Sequence, residues 1–119
     1  MIDLSPLKDI YGDHPVAIFG LGISGMASAK AFCAAGFHVI VMDDNPDRLE
    51  HAKTLGATPY DLIANMPEDT ACLVLAPGVP LTHPEPHAVV KSALKKNIEI
   101  VSDIEILHRA TPHLSLIHI

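Results

Sequence analysis

Only two cysteines, Cys33 and Cys72, occur in the 119 residues. That is too few for a disulfide framework. One stands in an Ala-rich run and the other in an apolar run, so both read as reduced interior thiols. Basic residues are also scarce: eight Lys and Arg against fourteen Asp and Glu give a formal net charge of -6. This argues against a nucleic-acid-binding surface, while leaving open local capture of phosphate by backbone N–H groups. There is no apolar run of ~20 residues and no basic-then-apolar leader at the start. No membrane insertion is expected, and the chain reads as soluble and cytoplasmic. Internal repeats, low-complexity linkers, a catalytic triad and a paired-carboxylate site are not evident. Finally, no G-x-x-x-x-G-K-[ST] segment occurs, so the sequence offers no phosphate clamp of the P-loop kind and no magnesium site of the sort that accompanies one.

What is present is an alternation of element types. Nearly half the residues, 49%, are apolar, enough to fill a core in a chain of this length. Val16-Ala17-Ile18-Phe19 and Val39-Ile40-Val41-Met42 are unbroken apolar runs, the mark of strands covered on both faces. Between them residues 24–35 form an Ala-rich helical stretch that Gly36 ends. Asp43 and Asp44 close the second strand, then Asn45 as N-cap and Pro46 at the first position open a helix that stops at Gly56. Short strands are expected near 57–60, over 73–75 and over 98–101, with a helix at 86–96 whose lysines lie toward its C-terminal end. Ser102-x-x-Glu105 has capping-box spacing and starts a further helix. Strands alternating with helices predict an α/β fold: a Rossmann-like parallel sheet of about five strands with helices on both faces.

Gly20-Leu21-Gly22-Ile23-Ser24-Gly25 is a G-x-G-x-x-G loop joining the first strand to the first long helix. The first glycine permits the tight turn, the second lets a phosphate approach the backbone, and the third lets helix and strand pack closely. The helix start offers unpaired N–H groups and the positive end of its dipole to a diphosphate. Ser24 adds a hydroxyl there. Asp43 lies 18 residues beyond Gly25, where dinucleotide folds read a ribose or base donor. A glycine turn used for packing alone is the plain alternative. The motif does not choose among NAD, FAD and UDP-sugars.

Eight histidines raise the question of a metal. His83 and His87 are four apart, but Pro84 and Pro86 lie between them and no third ligand suggests itself, whereas zinc takes at least three protein ligands. His14, His38, His51 and His108 read as surface or strand-edge residues. Asp3, Asp9 and Asp13 read as solvated, and Asp103 and Glu105 as helix-capping. No metal is expected.

More specific signals lie later in the chain. Leu73-Val74-Leu75-Ala76-Pro77-Gly78-Val79-Pro80, then His83-Pro84, then the run from Ile98 through Asp103-Ile104-Glu105 to Leu107 follow the glycine loop in fixed order. In these motifs the chain resembles the first domain of the D-glutamate-adding Mur ligases, from about Val16 to Arg109. The resemblance implies a domain over residues 1–110 that binds UDP-N-acetylmuramoyl-L-alanine. Residues 111–119 are then a tail or the start of a linker toward an ATPase domain outside this chain. It implies that ATP and Mg2+ serve the whole ligase, which activates a substrate carboxylate for attack by the D-glutamate amine. This stretch of chain is expected to be inactive alone, with no cofactor of its own. Carried over by position, Gly22, Ile23, Ser24 and Gly25 lie against the UDP part, with Ser24 and the loop amides on the diphosphate. Asp43 and Asp44 take the uracil edge, the first by side chain and the second largely by backbone. Asn45 lines the uracil, and Pro77 and Gly78 border the diphosphate and muramoyl sugar. Two positions depart from the pattern: Ala76 replaces the usual Ser before Pro-Gly, and Asn45 replaces the Arg of some members. The rival readings are an NAD(P)-binding domain of an oxidoreductase, which leaves the Pro77-Gly78 and Asp103–Leu107 segments unexplained, and a nucleotide-sensing module.

Overall fold

The computed structural model describes residues 4, 7–75, 88–102 and 105–106. Five strands form one parallel sheet: β1 (Val16–Phe19), β2 (Val39–Met42), β3 (Thr58–Pro59), β4 (Cys72–Leu75) and β5 (Glu99–Val101). Their spatial order is β3-β2-β1-β4-β5. The chain therefore winds outward from β1 in one direction, then returns to place β4 on the other side of β1. That reversal is the switch point of a doubly wound sheet, and ligands bind at the carboxyl ends of the strands beside it. The registers align those ends: Phe19 pairs with Met42 on one side and with Leu75 on the other.

Among the described residues the helices are α1 (Lys8–Tyr11), α2 (Ile23–Ala34), α3 (Pro46–Thr54) and α4 (Ala88–Lys95). They divide between the two faces, as the apolar runs require. Val16 and Ile18 of β1 point into a cluster with Val39, Val41, Cys72 and Val74. This face is covered by Ala29 and Phe32 of α2, Ala52 of α3, and Leu7 and Tyr11 at α1. Ala17 and Phe19 point the other way, to Ile40, Leu73 and Leu75, beneath Val89, Val90 and Ala93 of α4. Strand side chains alternate between faces, so a strand apolar at every position is one with a core on each side.

Strand positions match expectation closely. The third is shorter than expected, Thr58–Pro59 rather than 57–60. Pro59 has no N–H for the ladder, and the edge position tolerates it. Pairing is carried past it by Tyr60 N–H donating to the Val41 carbonyl at 2.9 Å. The first long helix begins at Ile23, one residue earlier than expected. Two features were not foreseen. One is α1. The other is the segment at 61–66, opened by Asp61, whose Oδ1 accepts from the N–H groups of Ile63 and Ala64. It seats Leu62 and Met66 in the second cluster, and Lys96 Nζ donates to the Met66 carbonyl at 2.5 Å, fastening it to the chain after α4. Glu105 N–H donates to Ser102 Oγ at 3.2 Å, which is half of the capping box read at 102–105.

Candidate functional site

The three glycines of the loop have different surroundings. Gly20 turns the chain off β1 with φ 93, a left-handed conformation that favours glycine. A Cβ on Gly25 would lie 1.9 Å from the Gly20 carbonyl oxygen. Gly25 is therefore required by the contact between α2 and the loop. Gly22 has neither constraint. Its φ is -68, and a Cβ there would meet nothing within 4 Å. The fold leaves the space beside Gly22 open, and this is the place where the loop motif brings a phosphate to the backbone.

Gly22 is also the N-cap of α2 and supplies no side chain to the first turn. The N–H groups of the helix start, at Ile23, Ser24 and Gly25, have no intrahelical i−4 partners, and those of Ile23 and Ser24 stand on the first turn of the helix. Twelve residues of helix add a dipole whose positive end is here. Ile23 is 97% exposed. Ser24 is half-buried on the same first turn.

Next to this loop, across the carboxyl ends of β1 and β2, lies an open cleft of about 580 Å³. It is lined by Phe19 and Gly20 on one side and by the run from Asp43 to Arg48 on the other. Loop and cleft are tied together. Gly20 N–H donates to the Met42 carbonyl at 2.9 Å. Leu21 N–H donates to Asp43 Oδ2 at 2.5 Å, and Asn45 N–H donates to Asp43 Oδ1 at 2.7 Å. Both oxygens of Asp43 thus have backbone partners within the protein. Asp44 and Asn45 are exposed in the cleft. Asn45 is the N-cap of α3, as the sequence suggested: its side-chain oxygen accepts from Asp47 N–H at 2.9 Å. Its amide nitrogen keeps two donors for other partners.

Sequence reasoning did not single out Arg48. It lines the cleft, and its Nη1 is 3.7 Å from Asp43 Oδ2. The available signal was its place three residues after an N-cap, where a side chain reaches back toward the strand that precedes the helix. With Asp43, Asp44 and Asp47 against Arg48, the cleft has a surplus of carboxylates. It suits neutral hydrogen-bond donors such as those of a base or ribose. The groups suited to an anion are the amides of the glycine loop.

Pro77 and Gly78 lie outside the described residues, as do His83 and His87. Leu75, two residues before Pro77, pairs with Phe19 of the cleft. Among the described residues no group of three His, Cys, Asp or Glu is arranged to hold a metal ion, and no helix is long and apolar enough to cross a membrane.

Residues 14–102 match the family described as Mur ligase MurD-like, N-terminal domain. The chain is similar to the UDP-N-acetylmuramoylalanine--D-glutamate ligase of Brucella abortus (strain 2308), 44% identical over 115 residues that cover 97% of this chain and 24% of that protein. It is also similar to the protein of the same name from Nitrobacter winogradskyi, 48% identical over 99 residues, covering 83% of this chain and 21% of the relative. The chain spans about a quarter or less of the length of these relatives. Among solved structures, shikimate dehydrogenase from Aquifex aeolicus has a TM-score of 0.63 at 13% identity, covering 95% of this chain and 52% of that one. D-lactate dehydrogenase from Escherichia coli has a TM-score of 0.58 at 21% identity, covering 77% of this chain and 29% of that one. These two likenesses are of fold.

Proposed function

The chain belongs to the family of Mur ligase MurD-like N-terminal domains, and we propose that it is the module with which a D-glutamate-adding ligase holds its substrate, UDP-N-acetylmuramoyl-L-alanine. The observation that carries this reading is Gly22. The loop leaves room at a glycine that neither backbone conformation nor packing requires, directly before an uncapped helix start. A diphosphate fits that arrangement by charge and by the spacing of amides.

In this reading Gly22, Ile23, Ser24 and Gly25 meet the diphosphate and adjoining ribose, with the Ser24 hydroxyl and the loop amides as donors. The uridine lies toward the cleft, where Asp44 and Asn45 meet its edge and Asp43 completes the site. Pro77 and Gly78 border the muramoyl sugar. The exposed Ile23 gives the ligand an apolar surface. The protein works in the cytoplasm, on a small soluble nucleotide precursor and not on nucleic acid. The name shared by the relatives supports the rest of the reading: ligation to D-glutamate by the whole enzyme. ATP with Mg2+ would supply activation of the substrate carboxylate in the whole enzyme. This chain's residues do not fit that pair, since its glycine loop carries no Lys-Ser or Lys-Thr and no other phosphate loop occurs. Residues 1–110 are then the UDP-sugar domain and 111–119 the approach to the ATP-handling part.

Titration calorimetry on the 119-residue chain tests the reading. UDP-N-acetylmuramoyl-L-alanine should bind with modest affinity, UDP more weakly, and NADH not measurably. NADH binding more tightly than the UDP-sugar would overturn the assignment in favour of a nicotinamide-nucleotide domain. A phosphate-release assay with ATP, D-glutamate and saturating UDP-sugar should show no turnover; turnover tracking the UDP-sugar would place ligase machinery within these residues.

A further inference from the structure

Asp43 follows the last residue of β2, and its side chain is only 7% exposed. Its two oxygens accept from two backbone N–H groups that belong to different parts of the site. One is Leu21, inside the glycine loop and 22 positions away in sequence; the other is Asn45, the cap of α3. Leu21 is itself buried. Its side chain is held by the core and its N–H by the carboxylate, so the peptide plane between Gly20 and Leu21 has one orientation. The bond from Gly20 N–H to the Met42 carbonyl fixes the plane before it. The direction in which Gly22 and the first turn of α2 present their amides follows from these two planes. The same carboxylate turns the backbone at Asn45 so that its side chain can cap α3. Arg48, half-exposed, has its Nη1 3.7 Å from Oδ2 and places a positive charge beside this carboxylate.

We propose that Asp43 is a positioning residue, whose carboxylate shapes the glycine loop for the diphosphate, and that selection of the base falls to the exposed Asp44 and Asn45. This rests on the UDP-binding reading above and gives Asp43 a role through the loop. Backbone amides can bind an anion tightly only when they are already aimed at it, because an unaimed loop must be ordered at the moment of binding. A carboxylate fastened to Leu21 supplies that aim. Turned inward and largely excluded from water, it offers little surface to a base.

The two roles differ in which ligand suffers when Asp43 changes. Asp43→Asn keeps one acceptor oxygen and must release either Leu21 or Asn45. Asp43→Glu keeps the carboxylate at a greater reach. UDP, CDP and uridine are titrated against the full chain and both variants by NMR, with Leu21 labelled so that exchange of its amide proton is followed without ligand. In Asp43→Asn, UDP should weaken by about tenfold, the loss of one charge-assisted hydrogen bond. Uridine should change by less than about twofold, and the preference for UDP over CDP should persist. Exchange at the Leu21 amide should accelerate by about tenfold or more while amides in the middle of β1 do not follow. Asp43→Glu should restore part of the UDP affinity. Collapse of the preference for UDP over CDP, with the ratio of UDP to uridine intact, would show that Asp43 reads the base and would overturn the proposal. Equal losses for UDP and uridine, with faster exchange throughout β1, would reduce Asp43 to general stability and overturn it as well. If the parent chain binds no UDP, the functional reading fails by itself; an unchanged Leu21 amide in Asp43→Asn then overturns the loop role independently.

Discussion

Substituting alanine at Gly25 and at Gly22 should produce opposite phenotypes, although the two glycines lie three residues apart in one loop. At Gly25 the added methyl would be 1.9 Å from the Gly20 carbonyl oxygen, and the obstacle is backbone. Overpacking ordinarily costs ~1–3 kcal/mol, and a contact this short with an atom that has no rotamer to change belongs at the upper end. Gly25 sits in the first turn of α2, where alanine regains up to ~1 kcal/mol in helix propensity. The net loss is about 2 kcal/mol, which for a domain of this size lowers the melting temperature by roughly 10 °C. At Gly22 the methyl enters open space at an ordinary φ of -68. Alanine is a worse N-cap than glycine by up to ~1 kcal/mol, but it also restricts the unfolded chain by ~0.4–1 kcal/mol, so the two effects nearly cancel. Ligand binding should show the reverse order. Gly22→Ala puts a methyl where the phosphate approaches and should abolish UDP binding while melting like the parent. Urea or thermal unfolding, read alongside calorimetry with UDP, separates the two. The reasoning is refuted if Gly22→Ala melts as early as Gly25→Ala, or if it binds UDP as the parent does.

Two further outcomes are expected. Asn45→Ala removes the oxygen that accepts from Asp47 N–H and should cost ~1 kcal/mol, visible as an earlier urea midpoint with an unchanged slope. Burial pushes the Cys33 thiol above its usual range, so iodoacetamide at pH 8 should modify it more slowly than a small free thiol, and buried Cys72 only on unfolding. Because the thiol's folded value is the higher one, its contribution to stability is complete below the unfolded value and is lost as pH rises through the folded one. The urea midpoint of the parent should therefore drop more steeply above about pH 8.5 than that of Cys33→Ala.

The sheet was legible because each central strand has a core on both sides. Val16–Phe19 and Val39–Met42 are apolar at every position, and Gly20 and Asp43 mark their ends. The helix at Pro46–Thr54 was legible because Asn45 and Pro46 are chemically suited to begin one. The four-residue α1 and the segment around Leu62 and Met66 were not. A single turn has too few residues to show a period, and Leu62 and Met66 become core only because the face of the sheet beside α4 needs covering. Arg48 was missed for a related reason. Its neighbour in space is Asp43, and that contact exists because α3 starts immediately beyond the carboxyl end of β2.

The same limit applies more sharply to Asp43, and it shows how the site divides its work. An acid at the end of the second strand is a sequence signal for recognition of a nucleotide, but the signal does not say which atoms the acid meets. That is settled by the orphaned donors around it. Gly20 leaves β1 with φ 93, so the following N–H, at Leu21, turns away from the β1 ladder and toward β2. A buried N–H without an acceptor is costly, and the nearest oxygen it meets is that of Asp43. The glycine that makes the loop thus creates the donor that the acid satisfies, and the two parts of the motif require each other before any ligand is present. Once Asp43 is engaged, the cleft's remaining carboxylates, Asp44 and Asp47, face an opening that also holds Arg48. In the proposed reading, a diphosphate would be repelled there and attracted to the amides of α2, while the uncharged donors of a base would be attracted to the cleft, and that separation of charge would orient a nucleotide across the switch point. The chain's net charge of -6 opposes anion capture at long range, so in the proposed reading any affinity for phosphate must come from amides in direct contact with it.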